Sequence, residues 1–260
     1  MRLAEGLVLP RSVVVSVSGK GGVGKTTFTA LLLRGLTRLG GYEVLAIDAD
    51  PAMNLPSVLG CEVKESVGDL IERLEKEVDP DEVTASFEQM VWETITENKG
   101  FDLLAMGFTE REGCYCTVNR VLARIVDSVT MFYDLVLMDM EAGLEHLSRR
   151  TDRDVDVFFI VTDPSRMGLQ TAGRIINITK TLHINFKHMY LVGNRFPETA
   201  ERTLYTFAEE NGVRCAAFLP FDPNVSRFNL QGKPLLELPD DSPILSPLKN
   251  IIENCIEPLL

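Results

Sequence analysis

Short apolar, β-branched runs alternate with longer amphipathic stretches along most of this chain. The runs Val13–Val17, Val44–Ile47, Leu103–Met106, Leu135–Met138, Val157–Val161, Met189–Val192 and Cys215–Leu219 read as strands. Between them, helical spacing is expected over Thr26–Leu39, Val67–Lys76, Asp81–Asn98, Thr117–Val129, Ser165–Thr181, Ala200–Asn211 and a last segment near Ile244–Ile256. The strands are apolar at consecutive positions, so both of their faces are covered. Strands of that kind separated by helices predict an α/β fold with a mostly parallel sheet and helices on both faces. No internal repeat or low-complexity linker divides residues 1–260, which are expected to form a single domain. Residues 1–11 would be an N-terminal extension. The polar interval of about 62–100 would be a helical excursion after the second strand.

The first strand runs into Gly19-Lys20-Gly21-Gly22-Val23-Gly24-Lys25-Thr26-Thr27, which fits G-x-x-x-x-G-K-[ST] and opens an amphipathic stretch. Strand, loop and helix in that order form a phosphate-binding loop: glycines let backbone N–H groups wrap phosphate oxygens, and the helix N-terminus adds positive potential. Lys25 is expected on the β- and γ-phosphates, and the Thr26 hydroxyl on Mg²⁺. Lys20 is an extra cation, poorly placed for the γ-phosphate of its own loop but available to a second subunit docked face to face. Two acidic segments follow strands, where open α/β sheets place ligands: Asp48-Ala49-Asp50-Pro51, and Asp139. Carboxylates there hold the metal's water shell or orient an attacking water. After the strand Met189–Val192 comes Gly193-Asn194-Arg195-Phe196. It lacks the Lys and Asp of Asn-Lys-x-Asp that grip guanine, which favours ATP.

Composition narrows the partners. With 26 basic and 38 acidic residues the net charge is −12, against the basic face that nucleic acid or an anionic membrane needs. No apolar run approaches a bilayer span, and Pro10 and Arg11 interrupt the Leu7–Leu9 run, so no leader is read there. Five cysteines without a disulfide framework suit a reduced, cytoplasmic setting. Two of them form Cys114-Tyr115-Cys116. In an extended segment, positions i and i+2 face one side, so two thiolates are available to one metal ion. A twofold dimer would join two such pairs into a Cys₄ site suited to Zn²⁺ or square-planar Ni²⁺.

The loop with its second lysine resembles the deviant Walker A ATPases, the group of MinD, ParA and NifH. That resemblance implies that Lys20 acts in trans across a nucleotide-sandwich homodimer, with Lys20, Lys25 and Asp50 catalytic. It implies that Asp50 positions the hydrolytic water, that Asp48 lies close to Mg²⁺, and that Asp139 occupies the Walker B position, with Gly143 letting the second switch move. It further implies that Asn194 contacts adenine, that Arg195 stacks on the base, and that Pro220-Phe221-Asp222-Pro223 lines the other side. Glu112-Gly113-Cys114-Tyr115-Cys116 with Asn119, and Met138-Asp139-Met140-Glu141-Ala142-Gly143-Leu144-Glu145-His146-Leu147, resemble the CooC family of nickel-handling ATPases. The likeness spans about Ser12 to the C-terminus. It implies nickel delivery to carbon monoxide dehydrogenase or acetyl-CoA synthase. The chain departs from that family in its longer N-terminus and in Thr117-Val118 after the second cysteine.

Two other readings remain at this point. A MinD/ParA-like positioning ATPase would need a basic DNA-binding face or a basic membrane helix. In the C-terminal segment Leu248, Ile251, Ile252, Cys255, Ile256 and Leu259 form one apolar face, but Lys249 is set against Glu253 and Glu257, so packing on the core is expected. A NifH-like iron–sulfur reductase would hold its cluster with two well-separated cysteines per chain. Cys61, Cys215 and Cys255 are expected to be packed, and His183 and His188, which flank a strand start without an acidic or cysteine partner, to be surface or satisfied core histidines. His146 either relays nucleotide state or caps a helix.

Overall fold

The computed structural model describes residues 12–77, 90–108, 122, 124–141, 155–181 and 186–260. Among these, eight strands form one sheet: β1 (Val13–Gly19), β2 (Val44–Ala49), β3 (Thr96–Asn98), β4 (Phe101–Ala105), β5 (Leu135–Met140), β6 (Val155–Thr162), β7 (Phe186–Asn194) and β8 (Arg214–Leu219). Their order is β3-β4-β2-β5-β1-β6-β7-β8. Every pairing is parallel except the hairpin of β3 with β4 at one edge.

The apolar runs are explained by burial on both faces. Val13, Val15 and Val17 of β1 face one core layer with Leu135 and Leu137 of β5. Val14 of β1 and Val136, Met138 and Met140 of β5 face the other. The first layer is covered by α1 (Lys25–Leu39), by α2 (Asn54–Leu59) and by the C-terminal segment. There Phe28 of α1 meets Phe159 of β6 edge to face, with centroids 5.4 Å apart. Truncating a fully buried phenylalanine of this kind costs about 3–5 kcal/mol. The second layer is covered by α3 (Val67–Glu77), residues 124–129 and the helices Arg166–Thr181 and Glu201–Asn211. In the C-terminal segment Leu248, Ile251, Ile252, Cys255 and Ile256 are buried in the first layer, and Leu259 packs against it. The face is therefore packed on the core, as its charge pattern predicts.

One element is corrected. The helix expected over Asp81–Asn98 does not reach Asn98: residues 90–94 are helical, and Thr96–Asn98 is strand β3, paired Asn98 to Phe101 and Thr96 to Leu103. Thr94, Ile95 and Thr96 form a β-branched run before a Lys99-Gly100 turn, and a two-residue glycine turn closes a hairpin. Two short helices, Asn54–Leu59 and Pro223–Gln231, have no counterpart in the periodicity reading. The second carried a readable signal, an Asp N-cap followed by Pro at the first helical position.

Candidate nucleotide-binding site

The strand order reverses about β1, with β5 and β2 on one side and β6–β8 on the other. Open parallel sheets bind ligands at the carboxyl ends of strands at such a point. The loop after β1 sits there. Gly19 has φ +154, and a Cβ on it would lie 2.2 Å from the Val161 carbonyl oxygen of β6, so only glycine lets the chain leave the sheet here. Gly24, at φ +95, enters α1 without a side-chain cap, and the first turn of the helix carries no acidic residue. The helix N-terminus thus offers its N–H groups to an anion. At Gly21 and Gly22 nothing lies within 4 Å of where a Cβ would stand, which leaves room beside the loop. Lys25 opens α1 and is buried.

The register of the sheet brings the acidic segments to this loop. Asp48 of β2 lies opposite Asp139 of β5, and Asp139 lies opposite Val17 of β1. Both carboxylates are buried. Asp139 Oδ1 accepts the Thr29 hydroxyl at 3.2 Å. Burial pushes the Asp139 carboxyl up to about 6, against the opposing pull of the Thr26 hydroxyl, the Lys25 charge and Thr29. Burial pushes Asp48 up to about 7, with the Asp139 charge adding to the shift and N–H bonds from Asp50 and Leu55 opposing it. Those bonds engage both oxygens of Asp48: Oδ1 accepts the Asp50 N–H at 3.0 Å and Oδ2 the Leu55 N–H at 2.9 Å. Asp48 therefore staples the segment carrying Asp50 to the end of β2. Asp50 Oδ1 accepts the Ala52 N–H at 2.9 Å, and a turn through Met53 leads into α2.

A profile described as the CobQ/CobB/MinD/ParA nucleotide binding domain matches residues 14–235. The chain belongs to this family.

Within the MinD/ParA family the relatives differ in what is known of them. An uncharacterised ATP-binding protein of Methanocaldococcus jannaschii is 41% identical over 94% of this chain and 98% of its own length. The carbon monoxide dehydrogenase accessory protein CooC of Rhodospirillum rubrum is 31% identical over 65% of this chain and 70% of its own. Among solved structures, the ParA family ATPase of Chlorobium tepidum superposes with a TM-score of 0.72 at 19% identity, covering 94% of this chain and 99% of that one. The cell division ATPase MinD of Pyrococcus furiosus gives 0.69 at 25% identity, covering 96% and 100%.

The residues that the family resemblance associates with adenine converge. Asn194, Arg195, Pro220 and Asp222 line a cleft of about 100 Å³ beside Gly24 and Thr27. Two of them also grip the phosphate loop: Asn194 Nδ2 donates to the Val23 carbonyl and a terminal Arg195 nitrogen to the Gly22 carbonyl, each at 2.7 Å. Asp222 is buried and occupied, its oxygens accepting the Asn224 N–H at 2.8 Å and the Ile244 N–H at 3.3 Å. It caps the helix Pro223–Gln231 and shapes the cleft wall. A larger cavity, about 250 Å³, lies away from the loop, between the second half of α1 and residues 245–253.

Thr29 is a site residue that the motif reading passed over. Its single O–H lies within hydrogen-bond distance of both the Lys25 carbonyl, at 3.1 Å, and Asp139, at 3.2 Å, and the signal for it was a hydroxyl one turn after Lys25 inside the apolar run Phe28–Leu33. Cys114, Cys116, Asn119, Gly143, His146 and His183 lie outside the described residues. Among the described residues no group of three or more His, Cys, Asp or Glu is arranged to hold a metal ion. Cys61, Cys215 and Cys255 are packed against the two core layers, and burial pushes each thiol up, Cys215 to about 11. His188 is engaged, its Nδ1 lying 2.9 Å from the Arg214 guanidinium. Among the described residues no helix is long and apolar enough to cross a membrane.

Proposed function

We propose that this chain is a Mg²⁺-dependent ATPase that works as a homodimer and gates a soft or borderline metal ion, nickel or zinc, for a carbon monoxide dehydrogenase or acetyl-CoA synthase client. Several features of the site suit the nucleotide and its metal. The helix N-terminus is uncapped, the space beside Gly21 and Gly22 is open, Lys25 is buried, and hard oxygen donors stand at Thr26 and Asp139. Thr26 and Asp139 would hold Mg²⁺, which would supply neutralisation of phosphate charge when bound. The rest of the work falls to the chain. Lys25 holds the phosphates as a point charge, and Thr29 keeps Asp139 oriented. Asp50 presents its carboxylate from a loop held by Asp48 and orients the attacking water. Lys20 serves the phosphates of the partner subunit.

The observation that carries the metal reading is the pair Cys114-Tyr115-Cys116 in a chain whose phosphate loop also contains Lys20. Two thiolates make half of a tetrahedral or square-planar site, and a face-to-face dimer brings the other half. The likeness to CooC, a carbon monoxide dehydrogenase accessory protein, supports the same reading. Closure of the dimer around ATP and its relaxation after hydrolysis would then change the metal's coordination. A ligand shifts such an equilibrium only by its differential affinity for the two states.

The test is metal analysis of the anaerobically purified protein and of a Cys114→Ala/Cys116→Ala variant, with and without ATP. The expected result is one ion shared by two chains in the wild type and none in the variant, with ATP hydrolysis retained by both. Full metal content in the variant would remove the cysteines from the reading and leave the ATPase standing.

A further inference from the structure

We propose that Asn194 and Arg195 are positioning residues for the phosphate loop, and that the Arg195 guanidinium acts on bound phosphates through the Gly22 peptide and not by stacking on a base. The inference rests on the nucleotide-binding reading above and deepens it. Arg195 follows the last residue of β7, with its backbone in the left-handed region at φ +58 and its N–H donating to the Leu219 carbonyl at 2.8 Å. That conformation is uncommon for a residue with a side chain. It turns the guanidinium back over the loop, where it donates to the Gly22 carbonyl. Its neighbour Asn194 is buried and donates to the next carbonyl along, that of Val23. Two consecutive carbonyls of the loop are thus drawn to the β7 side by two consecutive side chains.

A trans peptide is planar, with its C=O and N–H pointing opposite ways, and no described peptide bond is cis. Holding the Gly22 and Val23 carbonyls on the β7 side therefore turns the Val23 and Gly24 N–H groups to the other side, where the Val23 N–H makes a long 3.4 Å hydrogen bond to the Lys20 carbonyl that an anion would displace or share. Successive N–H groups presented together form an anion nest. The β7 end sets that nest before any phosphate arrives, which lowers the ordering cost of binding. Packing at Gly24 fits the same picture. A Cβ there would stand 2.4 Å from Asn194 Nδ2, so glycine is what allows the amide to reach the loop.

The probes are ADP and inorganic pyrophosphate, which shares the phosphate chemistry and has no base. Arg195 is exposed, so its replacement leaves the core intact. In Arg195→Gly the left-handed backbone is retained without a side chain. Calorimetric titration should show affinity for ADP and for pyrophosphate falling by the same factor, about three- to tenfold, the range expected for one hydrogen bond. Hydrogen exchange of the loop amides in the ligand-free variant should speed up, a change that loss of a distant charge would not produce. Arg195→Lys, which keeps the charge and one donor, should recover part of both effects. A loss confined to ADP would make Arg195 a base-stacking residue and overturn the proposal. So would unchanged affinities, or a loss without faster loop exchange. A wild-type protein that binds neither probe would remove the nucleotide reading itself, and the proposal with it.

Discussion

The two flanks of the phosphate loop are held by different physics. On the β6–β8 side, side-chain N–H donors from Asn194 and Arg195 reach two consecutive backbone carbonyls of the loop. Asn194 and Arg195 each have a partner on the loop before ligand arrives. On the β5–β2 side, two buried carboxylates, Asp48 and Asp139, stand opposite each other across neighbouring strands with their protonation pushed toward neutrality. Burying two like charges together is costly unless a cation joins them. In the proposed function, the first flank holds the loop for binding and the second, whose buried carboxylates call for a cation, serves the step that depends on metal and water.

The comparison breaks most severely at Gly24. In Gly24→Ala the new methyl meets the Asn194 amide, and φ +95 is strained for any residue with a Cβ. The bond to the Val23 carbonyl is lost and the loop shifts. Affinity for ADP should fall by about 100-fold or more, since strain and lost hydrogen bonds add at a site of close approach. The measurement is calorimetric titration of folded variant. Affinity within threefold of wild type would mean that the β7 side does not hold the loop.

A smaller and opposite signature is expected at Asp48. In Asp48→Asn the shape is kept, but one of the oxygens that accept the Asp50 and Leu55 N–H groups becomes a donor facing a donor. The segment carrying Asp50 loosens while the phosphate loop is untouched. Steady-state kinetics should show kcat lower by about 10- to 100-fold, the size of misplacing one positioned group. Affinity for ADP should change by less than about threefold, because only the acid-side flank is disturbed. Equal losses in kcat and in ADP affinity would erase the distinction between the flanks.

These expectations differ in how far the chain alone announces them. The loop Gly19–Thr27, the acidic ends of β2 and β5 and the parallel strands are legible because each is a local pattern. Burial on both faces writes a continuous apolar run, and a phosphate loop writes closely spaced glycines. What binds the site together is long-range. Arg195 meets Gly22 and Asn194 meets Val23 across more than a hundred and fifty residues. Asp48 faces Asp139 only because β5 inserts between β1 and β2. A strand order of that kind depends on how the helices pack, so no window of sequence contains it. Asp222 has two roles that a short window does not separate: it lines the cleft beside Gly24 and Thr27, and it caps the helix Pro223–Gln231 with both oxygens occupied. The short strand Thr96–Asn98 was hidden because three residues are too few to show a period.

The smallest effect tests the acid-side flank without any ligand. Asp48 is pushed up to about 7 and Asp139 to about 6, in both cases chiefly by burial. In the unfolded chain both would titrate near the ordinary carboxylate value of about 4. Between about pH 4 and 7 the folded state therefore holds more protons than the unfolded state, and unfolding free energy falls as pH rises. The stability these groups contribute is present at low pH and is lost as pH climbs through 6 and 7. Above that range both carboxylates are charged, and the full penalty of burying them remains. The ligand-free protein should thus melt about 3–6 °C higher at pH 5.5 than at pH 8, as expected for one or two kcal/mol in a domain of this size. Repulsion from the net charge of −12 acts in the same direction, so the decisive comparison is with Asp48→Asn, which has one titrating group fewer in the same field. Scanning calorimetry should show a clearly smaller difference between the two pH values in that variant. Mg²⁺ with ADP should flatten the wild-type profile as well, since a cation beside the carboxylates removes their reason to hold protons. If wild type and Asp48→Asn show the same pH dependence, the strain assigned to the acidic flank is absent, and both sides of the loop are complete before ligand arrives.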